Sequence, residues 1–373
     1  MANVFDYLKW RGDISFEADP VRIEDLLVLS QIIYWPFENL KEIKYKNKTL
    51  LELKKDIYVC KGPENNWGWR INLFKLWKNI ERYPRFANLK LYSFQSDLEE
   101  ENEKQKQFAA GLFYYKDVAI VAFRGTDLTL TGWKEDFNMA FETAIPGQLD
   151  AVNFLNSVPL SFKKVYICGH SKGGNQAMYS AVNVSNVKRI VQVANFDGPG
   201  LDLDNIIGKK AEQVKIKLHT YIPQSSIVAM TFGNIFDTTV IMSDGVGVLQ
   251  HDVFSWYFDG PKLKQAKKLS TTSKVVNRTI HDFIDDTTPE KRKVFVMAMY
   301  KLIDSTGAKR ADELLKAMVT HVPEIIKTGK GFSNDEKEVL KELRKQVIKN
   351  ISQAIMEQKN TKGLRELLRL DTK

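Results

Sequence analysis

Residues 166–175 read YICGHSKGGN and contain the pattern Gly-x-Ser-x-Gly, from Gly169 to Gly173. The run KKVYICG has the continuous apolar character of a buried strand, and SKGGNQAMYSAVNV begins as a helix. Ser171 is therefore predicted at a sharp turn from strand to helix, where its backbone is strained and the two glycines let strand and helix approach closely. The alternative is an ordinary serine in a glycine-rich turn, because so short a pattern also occurs by chance.

Strand-like and helix-like segments alternate on both sides of this turn, up to about residue 261. The strand-like runs are AAGLFYY, DVAIVAFRG, KKVYICG, RIVQVANF, VKIKLHTYI and TTVIMS, and helical patterns cover residues 147–158 and the segment after Ser171. Strands that alternate with helices predict an α/β fold with a mostly parallel central sheet, covered by helices on both faces. We assign residues 1–261 to this domain.

The last third of the chain differs in charge and in pattern. Residues 262–373 contain 25 Lys+Arg and 15 Asp+Glu, a net charge of +10, whereas residues 1–261 carry −1. Only helical patterns follow, so residues 262–373 are predicted to form a basic, all-helical region, with STTS at 270–273 as the linker. Within residues 334–358, an apolar stripe at i, i+4 spacing runs beside a stripe of lysines: Val339, Leu343, Val347, Ile351 and Ile355 beside Lys337, Lys341, Lys345 and Lys349.

Three interpretations of this basic region stay open. Its lysines could form a solvated face of helices that pack on the first domain. They could instead attract the anionic headgroups of a membrane, which basic amphipathic helices bind peripherally. Nucleic acid is the least favoured partner, because the region lacks interleaved aromatic residues and a recognisable module.

Cysteine usage and the N-terminus indicate the compartment and the absence of cofactors. Cys60 and Cys168 are far apart and belong to no Cys/His cluster, so we expect no disulfide framework, no metal site and no cofactor. The first twenty residues mix charges and contain no apolar signal region, and no apolar run of about 18 residues occurs. A cytoplasmic protein is expected.

A second motif, VAIVAFRGTDLTLTGWKEDF at 118–137, carries a resemblance to a known family. The order FRGT, W-x-x-D and then GHSxGG resembles the class 3 (fungal-type) lipase branch of the α/β-hydrolases. This resemblance implies that the backbone N–H of Thr126 is one oxyanion-hole donor; the N–H of Lys172, which follows the serine, is the other. It also implies that Arg124 and Asp136 form an ion pair that holds the loop. A plain turn threonine is the alternative for Thr126.

Longer segments narrow the resemblance. The stretch YLKWRGDISFEADPVRIEDLLVLSQIIYW near the N-terminus, NFDGPG at 195–200 and QHDVFSW at 250–256 are similar to a bacterial family of lipase-like hydrolases of unknown function. The similarity covers residues 3–258. It implies a fold and a set of catalytic residues, but no substrate.

A serine hydrolase requires a histidine after the last strand. His251 follows the strand-like TTVIMS through the loop DGVGVLQHD and meets this requirement. The other four histidines are the elbow residue His170, the strand residue His219, and His281 and His321 among helical segments. His251 is therefore the predicted general base.

The acid is less clearly defined by the sequence. Class 3 lipases place an aspartate after the strand that corresponds to KIKLHTYI, but this chain has PQSSIVAM there, with Ser225 and Ser226 at the expected position. Asp197 in ANFDGPG follows an earlier strand, where pancreatic-type lipases carry their acid, and it is the favoured candidate. Its carboxylate could instead serve only its own turn. A Ser–His dyad, or Asp244 or Asp252 as the acid, also stays open.

These residues predict a serine hydrolase of carboxylic esters, including lipid or phospholipid acyl esters, with the triad Ser171, His251 and Asp197. Residues 127–143 occupy the place of the class 3 lid, and their apolar side chains could face an acyl chain or belong to the core. A thioesterase or acyltransferase would use the same residues. A catalytically degenerate hydrolase that serves as a binding or scaffold protein is the alternative of another class, supported by the missing class 3 aspartate.

Overall fold

The computed structural model describes residues 1–40, 44–57, 68–101, 104–127, 130–201, 209–231, 237–307 and 331–357. The strands are β1 (Lys90–Glu101), β2 (Lys104–Tyr115), β3 (Val118–Phe123), β4 (Lys164–His170), β5 (Ile190–Phe196), β6 (Leu218–Pro223), β7 (Thr238–Ile241), β8 (Phe258–Asp259) and β9 (Lys262–Leu263). The α-helices are α1 (Val4–Arg11), α2 (Ile23–Ile32), α3 (Leu50–Leu53), α4 (Gly68–Lys78), α5 (Pro84–Ala87), α6 (Leu130–Asn138), α7 (Pro146–Asn156), α8 (Lys172–Asn183), α9 (Lys209–Lys215), α10 (Thr271–Asp285), α11 (Pro289–Ser305) and α12 (Asn334–Glu357).

Strands β1 to β7 form one sheet and follow one another across it in chain order. The first three pair antiparallel, whereas β3 to β7 pair parallel. Right-handed crossovers between parallel strands in this order place their connecting helices on one face of the sheet, where α7 and α8 pack. The opposite face is covered by α2, which contacts β3, β4 and β5.

Burial on both faces explains the apolar run that precedes the serine. Along β4, Val165 and Ile167 belong to the core cluster on the α8 side. Tyr166 and Cys168 alternate with them and belong to the cluster on the α2 side. A parallel strand buried on both faces has no polar side, so it appears as a continuous hydrophobic segment. The predicted α/β-hydrolase fold, with a mostly parallel central sheet and a strand–turn–helix connection at Ser171, is confirmed.

A buried ion pair fixes the N-terminal helices to the rest of the domain. The carboxylate of Asp25 in α2 accepts hydrogen bonds from the Arg85 guanidinium at 2.6 and 2.7 Å and from the Tyr7 hydroxyl at 2.8 Å. The side chains of Asp25 and Arg85 are fully buried. Because breaking such a pair would leave an uncompensated buried charge, it ties α1 and α2 firmly to α5, just before β1.

The C-terminal region begins differently from the sequence prediction. Ser270 caps α10 by accepting the N–H of Ser273, so residues 270–273 start a helix and the predicted linker is wrong. Strand β9 pairs with β8 across residue 261, the predicted domain boundary. The helical patterns of α11 and α12 are confirmed, while the helix predicted at 310–327 lies outside the described residues.

Two further differences concern the strands β1 and β6. Strand β1 was not predicted, and the run VKIKLHTYI becomes a strand only from Leu218, because its first residues complete α9 and a turn.

Cys168 carries a free thiol, and Cys60 lies outside the described residues. Within the described ranges, no helix combines the length and the apolar character that a membrane span requires.

Candidate active site

Ser171 is the single residue between β4 and α8. Its backbone has φ 59° and ψ −134°, a conformation that non-glycine residues rarely adopt. Strain of this kind persists only where the surrounding structure enforces it, and it is concentrated at functional sites. The predicted strand-to-helix turn is therefore present, with the strained backbone of an elbow.

The two elbow glycines are required by close backbone approach. A Cβ atom on Gly169 would lie 2.0 Å from the carbonyl oxygen of Gly173, and one on Gly173 would lie 2.2 Å from the carbonyl oxygen of Phe123. No side chain fits at these distances, since even alanine would collide with backbone atoms. Helix α8 thus lies directly against the ends of β3 and β4, as the sequence predicted.

Asp197 and His251 are brought together from positions 54 residues apart. Asp197 follows β5 and is fully buried, and its Oδ2 lies 2.7 Å from Nδ1 of His251. His251 ends the short 3-10 helix Gly247–His251 and is partly exposed. Because an ionised carboxylate only accepts hydrogen bonds, Nδ1 of His251 carries the proton and Nε2 is left as the basic nitrogen.

The other candidate acids have different surroundings. Asp244 is exposed, and the Asp252 carboxylate accepts the N–H of Phe254 at 3.0 Å. Burial raises the pKa of Asp252 to about 6, against which this N–H acts only in part. Among the described residues, Asp197 alone forms a hydrogen bond to the His251 ring. It is therefore the carboxylate in position to orient that histidine.

His170 connects the histidine loop to the elbow. Its Nε2 donates to the carbonyl oxygen of His251 at 2.8 Å, and the two rings lie 4.4 Å apart between centroids. Burial, followed by the influence of His251, holds the pKa of His170 well below its usual value, so the ring is neutral. Within the described part of the chain, the Ser171 hydroxyl forms no hydrogen bond to His251 or to another residue.

The turn that contains Thr126 packs against the elbow. A Cβ atom on Gly125 would lie 3.0 Å from the Cβ of Ser171, so the residues after β3 lie beside the serine. The hydroxyl of Thr126 donates to the carboxylate of Asp136 in α6. Within the described chain, the backbone N–H groups of Thr126 and Lys172 form no hydrogen bond. The oxyanion hole at Thr126 and Lys172 stays a prediction.

The side chain of Lys172 is fully buried in an acidic cluster. Its Nζ lies 2.7 Å from Oε2 of Glu135, 3.1 Å from Oε1 of Gln107 and 3.6 Å from Oδ1 of Asp136. Burial raises the pKa of Asp136 to about 6, although the Lys172 ammonium acts in the opposite direction. Burial also lowers the pKa of Lys172, but the Glu135 and Asp136 carboxylates outweigh it, so the net shift is upward.

The predicted Arg124–Asp136 ion pair is wrong. The Arg124 guanidinium lies 2.7 Å from the carboxylate of Glu38, in the N-terminal segment. Asp136 is compensated instead by Lys172. The pairing differs because the buried ammonium must be neutralised by carboxylates on α6.

The need to neutralise the buried Lys172 ammonium also explains the unusual orientation of α6. Its buried residues are polar or small, namely Thr131, Gly132, Glu135 and Asn138. Its apolar residues Leu130, Trp133 and Phe137 are only half-buried, as are Met139 and Phe141 after it. Within the segment 127–143, predicted as a lid or as core, residues 130–138 thus form a helix whose polar side faces inward, toward Lys172.

Of the three remaining histidines, two lie on other elements of the described structure. His219 on β6 pairs with Asp237, and His281 lies in α10. His321 lies outside the described residues. Of the sequence-predicted site residues, the structure brings Asp197 and His251 into direct contact. It places Ser171 beside the end of β5 that leads to Asp197, since the Ser171 N–H donates to the carbonyl oxygen of Phe196 at 3.0 Å.

Comparisons with known proteins find one family model and several solved structures that are similar to this chain. The model of the family described as Mbeg1-like matches residues 80–301, more than half of the chain. No curated protein matches. Among solved structures, M37 lipase is 14% identical and has a TM-score of 0.36. The match covers 56% of this chain and 70% of the M37 lipase chain. Lip2 lipase from Yarrowia lipolytica is 15% identical and has a TM-score of 0.29. That match covers 43% of this chain and 68% of the Lip2 chain.

Proposed function

This chain belongs to the Mbeg1-like family, and we propose that it is a serine hydrolase that cleaves carboxylic esters. The observation that carries the proposal is the 2.7 Å hydrogen bond between Asp197 and His251, beside a serine with a strained backbone at φ 59°. Nucleophile, acid and base occur in the chain order Ser171, Asp197 and His251, which is the order used by α/β-hydrolases.

In the proposed reaction, Oγ of Ser171 attacks the carbonyl carbon of the ester while Nε2 of His251 takes the hydroxyl proton. The backbone N–H groups of Thr126 and Lys172 stabilise the negative oxygen of the tetrahedral intermediate. The intermediate collapses to an acyl-serine, and the imidazolium returns its proton to the leaving alkoxide. Water then attacks the acyl-serine with His251 again as base, which releases the acid and restores the serine.

The proposed substrate class rests on the apolar residues that follow the Thr126 turn. Carboxylic esters with an acyl chain are proposed, because the apolar residues Leu130, Trp133 and Phe137 of α6 are half-buried in the segment that follows the Thr126 turn. A panel of p-nitrophenyl esters of increasing chain length measures this preference. Transfer of the acyl group to thiols or alcohols, measured by product analysis, would identify a thioesterase or acyltransferase instead.

The proposal predicts that a fluorophosphonate probe labels the wild-type protein and not Ser171→Ala. Only a serine activated by a neighbouring base reacts with such a probe at an appreciable rate. The matched control is Ser180→Ala, which removes a buried hydroxyl of the same helix that bonds only the carbonyl of Ala177. Equal labelling of wild type and Ser171→Ala, or no labelling of the folded wild type, would favour a degenerate scaffold protein.

We also propose that α12 contacts anionic membrane surfaces. Lys337, Lys341, Lys345 and Lys349, here called the α12 lysine stripe, are all exposed on one side of the helix. In the described ranges none of the four forms an ion pair, so their charge is not neutralised by neighbouring carboxylates. A cation near an anionic bilayer contributes about 1 kcal/mol of attraction. The stripe therefore suits a lipid-ester hydrolase that works at such a surface.

For this contact we expect salt-sensitive co-sedimentation of the full-length protein with phosphatidylcholine vesicles that contain phosphatidylserine. Lys341→Glu combined with Lys345→Glu should weaken binding at least tenfold, since it replaces two attractive charges with two repulsive ones. Lys163→Glu combined with Lys164→Glu is the matched control, because both lysines are exposed before β4. Equal binding of the two double variants would contradict the assignment to α12.

A further inference from the structure

The turn after β6 reaches the candidate acid. Ser226 occupies the position where class 3 lipases are expected to carry their aspartate, and its hydroxyl donates a hydrogen bond to Oδ1 of Asp197. The other oxygen, Oδ2, faces Nδ1 of His251 at 2.7 Å. Each oxygen of this buried carboxylate thus has a side-chain donor. The Ser226 hydroxyl thus lies where class 3 lipases carry a carboxylate, and it donates to the carboxylate of Asp197, which follows the neighbouring strand β5.

Ser226 is itself held from two sides. It is 1% exposed, and its Oγ lies 3.3 Å from the backbone nitrogen of Ala229, which donates to it. Its carbonyl oxygen accepts from Oγ of Ser273 at 2.5 Å. Ser273 is fully buried in the first turn of α10. The backbone and the hydroxyl of Ser226 therefore have little freedom to move.

Two further hydrogen bonds hold Gln224 and Ser225, the residues that precede Ser226 in the turn after β6. The N–H of Ser270 donates to the carbonyl oxygen of Gln224 at 2.8 Å. The N–H of Ser225 donates to Oε1 of Gln250 at 2.8 Å, and Gln250 directly precedes His251. The turn after β6 thus contacts Asp197, the residue that precedes His251, and the N-terminal end of α10.

We infer that Ser226 is a positioning residue for the Asp197–His251 pair and that the first turn of α10 holds it in place. The inference rests on the proposed function for its catalytic meaning. Without the Ser226 hydroxyl, one oxygen of a buried carboxylate loses its donor, and hydrogen bonds to ionised groups are among the strongest in proteins. The carboxylate would then rotate or recruit water, and the His251 ring would lose its fixed orientation.

The test compares Ser226→Ala, Ser226→Thr and the control Ser180→Ala in the full-length protein. Ser226→Ala is expected to lower kcat for a p-nitrophenyl ester about tenfold with little change in KM, because the loss affects the transition state rather than substrate binding. Ser226→Thr, which restores a hydroxyl, should recover most of the rate. In a 15N-histidine-labelled sample, the Nδ1 proton resonance of His251 should shift in Ser226→Ala and stay in place in Ser180→Ala.

Ser273→Ala provides a variant that leaves Ser226 itself intact. It removes the bond from α10 to the Ser226 carbonyl, and it should move the same His251 resonance in the same direction by a smaller amount. An unchanged resonance and a kcat within twofold of wild type in Ser226→Ala would overturn the inference. Failure of the proposed function is distinguishable, because it would appear as an unlabelled wild type while the histidine resonance still reports on Ser226.

Discussion

Asp197→Asn is expected to lower kcat for ester hydrolysis by about 10³- to 10⁴-fold, with KM nearly unchanged. The amide N–H of asparagine would face Nδ1 of His251, where the carboxylate now accepts a hydrogen bond. The imidazole would then carry its proton on Nε2 and could not take the proton of Ser171. Asparagine is the suitable replacement because Asp197 has φ 51°, a left-handed conformation that asparagine tolerates.

Asp244→Asn is the matched control for this prediction. Asp244 lies in the loop that leads to His251, but its side chain is exposed, so the variant should keep kcat within about twofold of wild type. Steady-state kinetics on one p-nitrophenyl ester, with thermal unfolding to verify folding, provide the measurement. If Asp197→Asn were as active as Asp244→Asn, the site would be a Ser–His dyad.

The elbow and the central sheet could be predicted because their signals are local. The buried strand β4, the glycines at 169 and 173 and the helix that follows are all contained within about twenty residues. Their chemistry allows few alternatives, since only glycine fits where a Cβ would lie 2.0 Å from a backbone oxygen. His251 is predicted for a related reason, because the order nucleophile, acid and histidine is fixed along an α/β-hydrolase chain. Its role as general base stays part of the proposal.

The acid could not be decided from the sequence, because its assignment depends on a contact between distant segments. NFDGPG is compatible with a turn aspartate that bonds its own backbone, and nothing near Asp197 in the sequence reports on His251. The resemblance places the two serines after β6 where class 3 lipases carry an aspartate. Their sequence gave no sign that Ser226 donates to Asp197, which depends on how β5 and β6 lie side by side.

The ionic contacts were predicted least well. The lysine of Gly-His-Ser-Lys-Gly was assigned a backbone role only, yet its ammonium organises α6 through Glu135. A lysine at the first position of a helix that packs against a buried sheet, together with the acidic pair Glu135 and Asp136, was the available signal. This signal is weak because lysine side chains are usually exposed, so the sequence favours an Arg124–Asp136 pair instead.

Glu135→Ala is expected to lower the free energy of unfolding by about 3–5 kcal/mol. Glu135 is fully buried and accepts three hydrogen bonds, from Nζ of Lys172 and from the backbone nitrogens of Gln107 and Gly147, at 2.7, 2.9 and 2.9 Å. Without it, the buried ammonium keeps the amide oxygen of Gln107 at 3.1 Å, and the carboxylate of Asp136 lies more distant at 3.6 Å. Urea denaturation followed by circular dichroism gives the change in free energy.

Two comparisons separate the buried charge from the loss of a side chain. Glu99→Ala removes the partner of Lys106 on β1, but Glu99 is 57% exposed, so the loss should be below about 1 kcal/mol. The double variant Lys172→Met with Glu135→Gln removes both buried charges and should be more stable than Glu135→Ala, because no unpaired cation remains. If the double variant were no more stable than Glu135→Ala, the two lost backbone contacts of Glu135, and not the ammonium, would determine the stability of this cluster. Any loss of fluorophosphonate labelling in the folded double variant would then reflect displacement of α6 and of the Thr126 turn that it holds.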